Sequence, residues 1–318
     1  MADSPSTPHD AFFRHVLARA ADAASELRSV LPPALIARVD WDDLRLQPCN
    51  FVSQTLRSRF SDVLFATRLD GHDAFVYVLI EHQSKPDPMM PLRMLEYLVA
   101  IWNRYLDQHP NTRTLPAVIP LVVHASPHGR RWKYPTEFGE LIDIDSATRT
   151  AMADFLPRFR FLLDDLTVVD LTALRQRKLT PAARIMLVLL KCAPGNPHLG
   201  GVLMLLLEDL RVMLAAPGGT ADLESVVTYI LTVSETSAVD LGPVIDRLGP
   251  SAQEATVTAA EQLRAEGRAQ VLIEQLSLKF GSVPDQIVEK VHQGDPAELR
   301  MWTARILTAS SSQEVFEP

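Results

Sequence analysis

The hydrophobic pattern of this chain changes period several times, and each change predicts an element. Two apolar runs, Ser61-Asp62-Val63-Leu64-Phe65 and Phe75-Val76-Tyr77-Val78-Leu79-Ile80-Glu81-His82-Gln83, flank a reversal around Asp70-Gly71-His72. Val, Ile, Phe and Tyr suit a pleated surface and Gly suits the turn, so this stretch predicts a β-hairpin whose strands end in acidic and amide side chains. Residues 10 to 30 carry Phe13, Val16, Leu17, Ala20, Ala24 and Leu27 at helical spacing, with Asp10 the expected N-cap. Leu31-Pro32-Pro33 breaks that helix, and Pro33 starts a second. Residues 90 to 107 predict a further helix with a broad apolar face that includes Leu95, Leu98 and Ile101. Val118 to His124 reads as a third strand, and Pro120 within it argues for a bulge or an edge position.

Beyond residue 165 the pattern becomes helical. Pro181 to Lys191 and Gly200 to Leu214 predict apolar helices split by Ala193-Pro194-Gly195-Asn196-Pro197, and Leu223 to Val233 predicts another. No site-like grouping of Asp, Glu, His or Cys stands out there. Ala255 to Phe280 can form one long helix interrupted only by Gly267; Gly281 and Pro284 then end it and start a pair of short helices reaching Leu307. The expected organisation is therefore a mixed α/β core over 9–165, a helical layer packed on it over 166–250, and a long helix with a helical tail over 251–318. That tail suits either self-association, which would make the chain a homo-oligomer through 251–318, or a cap folded back on its own chain.

Composition narrows the class. The chain has 318 residues, 47% hydrophobic and 22% charged, which fits a soluble globular protein. Its longest apolar runs are too short to span a bilayer, so no membrane association is expected. The first ten residues are polar, without a secretory pattern, and Cys49 and Cys192 are too few for a metal cage, so a cytoplasmic location is expected. A net charge of −8 weighs against a nucleic-acid partner, because duplex binding draws on Lys and Arg. Two considerations offset it. A bound cation adds positive charge where carboxylates cluster, and His128-Gly129-Arg130-Arg131-Trp132-Lys133-Tyr134 interleaves aromatics with cations. Arg130, Arg131 and Lys133 are candidate phosphate contacts; the alternative is a solvated loop with Trp132 packed down on the domain.

The chemistry depends on hairpin register. A turn centred between Gly71 and His72 sets Asp62 opposite Glu81, with Gln83 on the same face. A two-residue turn at Asp70-Gly71 pairs Asp62 with Leu79 and leaves Glu81 a diagonal neighbour on that face. A three-residue loop sends the carboxylates to opposite faces. Two carboxylates meeting at a sheet end are most simply held by a divalent cation, and Mg²⁺ takes such hard oxygen ligands (Mn²⁺ or Ca²⁺ are possible substitutes). Asp62 and Glu81 fit as ligands, with the His82 backbone carbonyl a candidate third. Taken singly, each residue has a plainer reading: Asp62 as a turn cap, Glu81 paired with Arg57 or Arg59. Arg93 and Tyr97, four apart on the next helix, are candidates to face the same site, Arg93 as a phosphate contact. His15 and Glu26 on the first helix could approach it too.

An Asp at a strand start followed by a strand ending Glu81-His82-Gln83 resembles the PD-(D/E)XK nuclease superfamily. The surrounding residues are closer to its recombination-promoting nuclease branch, also labelled YhgA-like putative transposases. The matching words are His9-Asp10-Ala11-Phe12-Phe13, Leu31-Pro32-Pro33, Arg59-Phe60-Ser61-Asp62-Val63-Leu64, Glu81-His82-Gln83-Ser84-Lys85-Pro86-Asp87 and Met90-Pro91-Leu92-Arg93-Met94-Leu95-Glu96-Tyr97. Arg264-Ala265-Glu266-Gly267-Arg268-Ala269-Gln270 also resembles one copy of a repeat common in that branch. The resemblance covers roughly residues 9 to 165. It implies a restriction-endonuclease-like core (helix, hairpin, helix, strand) followed by a mainly helical half. It further implies metal-dependent cleavage of double-stranded DNA that promotes recombination, with mobile-element or phage-related biology, and Asp62, Glu81 and Gln83 as catalytic residues. Gln83 stands where the superfamily usually has Lys. An amide can orient water but carries no charge, which together with the acidic composition makes a weakly active or inactive DNA-binding or assembly protein the alternative.

Overall fold

The structure, a computed structural model, describes residues 7–48, 61–81, 86–126 and 128–316, with the side chains of 61, 62 and 78–81 outside the description. It divides into two compact units, Met1–Leu248 and Gly249–Pro318. Within the first unit, a five-stranded sheet of order β1-β2-β3-β4-β5 runs through Arg45–Gln47, Ser61–Leu69, His72–Glu81, Ala117–His124 and Leu162–Asp165. The first three strands form an antiparallel meander, and β4 and β5 add in parallel. Helices α1 (Pro8–Leu17), α2 (Ala20–Val30) and α3 (Pro33–Ile36) precede the meander, and α4 (Met90–Gln108) crosses from β3 to β4. The order helix, hairpin, helix, strand is the one the family resemblance implied, with β1 and β5 added at the two edges.

Local chemistry explains the departures from the periodicity reading. The segment 10 to 30 is two helices. Thr7, not Asp10, caps the first, in a reciprocal box where the Thr7 hydroxyl accepts from the Asp10 N–H and the Asp10 carboxylate from the Thr7 N–H. The break falls at Arg19, whose extended backbone starts α2 while its guanidinium ties Asp22 to Asp222, each at 2.5 Å. Pro120 sits in an interior strand, contrary to the edge or bulge expected. Its position removes the conflict: the β4–β5 ladder begins only at Leu121, so at Pro120 the strand is still an edge on that side.

The two faces of the sheet carry different layers. Leu64, Tyr77 and Val122 pack with Met90, Met94, Tyr97 and Ile101 of α4 and with Phe161. On the other face, Val63, Phe65, Val76, Leu121 and Val123 are buried, and α1 packs on β2 and on α7 (Pro181–Cys192). Every residue of α7 from Ile185 to Leu190 is fully buried, as its unbroken apolar run requires. Against it pack α6 (Leu171–Gln176), α9 (Leu207–Ala215) and α10 (Gly219–Val233), while α8 (Gly200–Leu205) and α11 (Ala238–Leu248) pack on each other and on α9; α5 (Ser146–Ala151) lies in the β4–β5 crossover. Among the described residues no helix is long and apolar enough to cross a membrane. The second unit comprises α12 (Pro250–Phe280), α13 (Asp285–Gln293) and α14 (Pro296–Arg305). The helix α12 continues through Gly267, and Leu272 and Leu276 close a core with Val291, Leu299 and Trp302.

A buried charge group anchors α2 to β5. Arg177, at the end of α6, donates to both Asp164 oxygens at 2.7 Å and lies 3.8 Å from Glu26, which is 1% exposed. Burial first, and then the neighbouring Asp164 charge, push the Glu26 carboxyl well above the usual carboxylate range; Arg177 offsets only part of this. Removing the cation leaves two buried acids uncompensated, so Arg177→Met is expected to cost about 3–5 kcal/mol, measured by urea denaturation. Because Glu26 keeps in the folded chain a proton that the unfolded chain has lost, its contribution is full below the ordinary carboxylate value and is lost as pH rises through the raised one. The melting temperature of wild type should therefore fall relative to Glu26→Gln as the pH rises above the ordinary carboxylate range.

Candidate active site

The hairpin closes on Asp70 and Gly71, with Leu69 facing His72 across the ladder. Both turn residues have positive φ, 49° and 84°, the requirement of a type I′ turn, which an Asp-Gly pair meets and a Gly-His pair does not. Asp70 is held there by an ion pair with Arg38 and by its N–H, which donates to the Arg38 carbonyl at 3.0 Å. The register that follows pairs Asp62 with Leu79. Asp62 therefore does not stand opposite Glu81; the two positions share a face as diagonal neighbours, a separation of about 7–8 Å between backbones. The side chains of Asp62 and Glu81 lie outside the described residues, as do His82 and Gln83 entirely.

What surrounds the end of β3 is described. Glu81 pairs in parallel with His124, and His124 with Asp165, so the three positions form one row across the same sheet face. His124 is fully buried, and its Nε2 lies 2.9 Å from the Arg130 carbonyl, which accepts from it. The Trp132 N–H donates to Asp165 Oδ2 at 3.0 Å, and the Thr167 hydroxyl and N–H donate to Oδ1 at 2.6 and 3.0 Å. Trp132 meets the His124 ring edge-on at 5.3 Å and Phe161 at 5.9 Å. Its indole N–H donates to the Tyr134 carbonyl. The basic loop is thus tied at Arg130 and Trp132 to the ends of β4 and β5, while the side chains of Arg130, Arg131 and Lys133 remain exposed. Trp132 packs down, as the plainer reading of this loop expects, and the cations face solvent one strand away from position 81.

Other candidates lie elsewhere. Arg93 forms an ion pair with Asp87 in the first turn of α4, and both side chains are largely buried. Tyr97 is buried against Tyr77, ring centroids 4.9 Å apart, so it serves the core. Glu26 joins Asp164 and Arg177 on the opposite face of the sheet, and His15 pairs with Asp222 at 2.7 Å. His124 and Asp165 were not singled out from the sequence. Their only signal is a polar residue closing an apolar run, and the four-residue β5 is too short to announce itself. Among the described residues no group of three or more His, Cys, Asp or Glu is placed to hold a metal ion; the expected ligands Asp62 and Glu81 have side chains outside the described residues.

Residues 7–214 match the family described as Putative transposase, YhgA-like. The chain belongs to that family. Among its YhgA-like relatives, it is similar to Recombination-promoting nuclease RpnD of Escherichia coli O157:H7, 36% identical over 164 residues, which cover 52% of this chain and 60% of that one. Recombination-promoting nuclease RpnA of Escherichia coli strain K12 is 30% identical over 267 residues, 82% of this chain and 85% of the relative. The Inactive recombination-promoting nuclease-like protein RpnE of the same strain is 30% identical over 266 residues, 82% and 83% of the two chains. No solved structure matches the chain.

The Asp165 carboxylate is the loop's main side-chain tether in this YhgA-like chain. Asp165→Ala is expected to leave the Trp132 and Thr167 donors unpaired, to cost about 1–3 kcal/mol, and to speed trypsin cleavage after Arg130 and Arg131, read by mass spectrometry of timed digests.

Proposed function

We propose that this chain is a metal-dependent endonuclease that hydrolyses phosphodiester bonds in double-stranded DNA and thereby promotes recombination. Asp62 and Glu81 would hold a cation, Mg²⁺ by preference, with the His82 carbonyl as a further ligand. Such an ion would supply an acidified water and relief of charge on the phosphate. Gln83 orients that water through its amide. Arg130, Arg131 and Lys133, fixed beside Glu81 by His124 and Asp165, engage flanking phosphates. Arg93 belongs to this group only if it exchanges its Asp87 partner for phosphate. The observation that carries the reading is the ladder register, in which positions 62 and 81 fall on one face and the basic loop is tied to the next two strands. Relatives named as recombination-promoting nucleases support it.

A second reading has its own support. A relative named as inactive aligns over 82% of this chain, and Gln83 and the net charge of −8 point the same way. On that reading the fold binds DNA or assembles without cutting.

Supercoiled plasmid separates the two. With Mg²⁺, Mn²⁺ or Ca²⁺ against a chelator control, the nuclease reading expects metal-dependent nicking that falls at least about a hundredfold in Asp62→Ala and in Glu81→Ala. Retarded migration without cutting, unchanged by either substitution, establishes the binding reading instead.

A further inference from the structure

A second polar cleft lies on the α4 face at the other end of the same strands. It encloses about 250 Å³ between β1, the turn-proximal half of the hairpin and the last turns of α4. Phe75 and Tyr105 give it an aromatic wall: their rings meet edge to face at 6.2 Å, and His109, which also lines the cleft, stacks on Tyr105 at 4.2 Å and 25°. The Tyr105 hydroxyl donates to Asp73 Oδ2 at 3.1 Å, which fixes the ring's rotation. Two guanidinium groups from separate elements line the same cleft, Arg45 on the edge strand and Arg104 on α4. Arg45 is 65% exposed and meets Asp43 at 3.2 Å. Arg104 donates to the Pro48 carbonyl at 3.0 Å, which holds it against the rim.

The geometry points to a binding site for one nucleotide unit, its base on the Phe75–Tyr105 wall and its phosphate between Arg45 and Arg104. Aromatic rings held by one another and by the Tyr105–Asp73 hydrogen bond provide a stacking platform, which takes any base because every base has a π-face. Guanidinium groups match phosphate geometry through paired donors. Asp73 repels phosphate and so assigns it to the arginine side, while offering an acceptor to the base edge. The volume is below the roughly 300–1,000 Å³ of drug-sized pockets and suits one base. The step of six residues along β3 from Phe75 to Glu81 spans about 20 Å. A nucleotide in the cleft is therefore not the one at the Asp62–Glu81 end, and the site holds a single strand or a free nucleotide at a distance from the cut.

This inference rests on the proposed nuclease reading only for its choice of occupant, and its test keeps the two apart. The full chain in chelator is titrated by calorimetry with deoxyadenosine monophosphate and with a 5′-phosphorylated six-nucleotide deoxyadenosine strand. Binding of either, weakened about tenfold by Tyr105→Leu and by Arg45→Gln and retained in Asp62→Ala, establishes the site. Equal affinity for the two probes assigns it to free nucleotides, and preference for the strand assigns it to a chain. Arg45→Gln, on an exposed edge, guards against a folding defect at Tyr105. No binding by either probe, or binding unchanged in both cleft variants, overturns the proposal. A chain that binds in this way yet leaves plasmid intact loses the nuclease reading and keeps the cleft.

Discussion

Two adjacent residues in left-handed backbone, Asp70 and Gly71, decide which side of the sheet every residue of β2 and β3 takes. Side chains alternate with a period of two, so a turn one residue longer would exchange the faces of one strand relative to the other. With the turn as it is, Leu64 and Tyr77 meet α4 while Phe65 and Val76 meet the opposite layer. The strand order then carries that choice outward. Because β4 pairs in parallel with β3 and β5 with β4, the face that receives position 81 also receives His124 and Asp165. The turn thus sets which face of β2 meets that row, and the two parallel ladders carry the row to the basic loop.

Polar groups are distributed unequally between the layers. On one side, Glu26, Asp164 and Arg177 form a desolvated group that ties a helix to an edge strand. On the other, His124 and Asp165 each bond a backbone group of the loop, the Arg130 carbonyl and the Trp132 N–H. The first arrangement stabilises only while its cation is present. The second presents three cations to solvent on a chain whose overall charge is negative.

The long, strongly periodic segments were legible in the sequence. The hairpin strands, α4, α7 and the long α12 follow directly from the spacing of Val63, Phe65 and Val76, of Met94, Leu98 and Ile101, and of Leu272 and Leu276. Edge strands were not: three residues at Arg45–Gln47 and four at Leu162–Asp165 are too few to establish a period. The single helix expected over 10 to 30 failed for a different reason. No local breaker stands at Arg19; the chain turns where an arginine bridges two aspartates, one of them two hundred residues distant. The exact turn was open on length alone, and the residue preferences of Asp70 and Gly71 closed it. The pairing of Glu81 with His124 was beyond reach, because it depends on a parallel crossover that no local pattern encodes.

Asp164 and Asp165 are neighbours in the chain and point to opposite layers, one clasped by Arg177 and the other by the Trp132 N–H. Sliding β5 by a single step would move one aspartate into the other's place and a leucine (Leu163 or Leu166) into the vacated one, leaving either Arg177 without Asp164 or the Trp132 N–H without an acceptor. The shortest strand of the sheet therefore carries a two-pronged key, and its alignment is enforced by the penalty for misthreading rather than by its length.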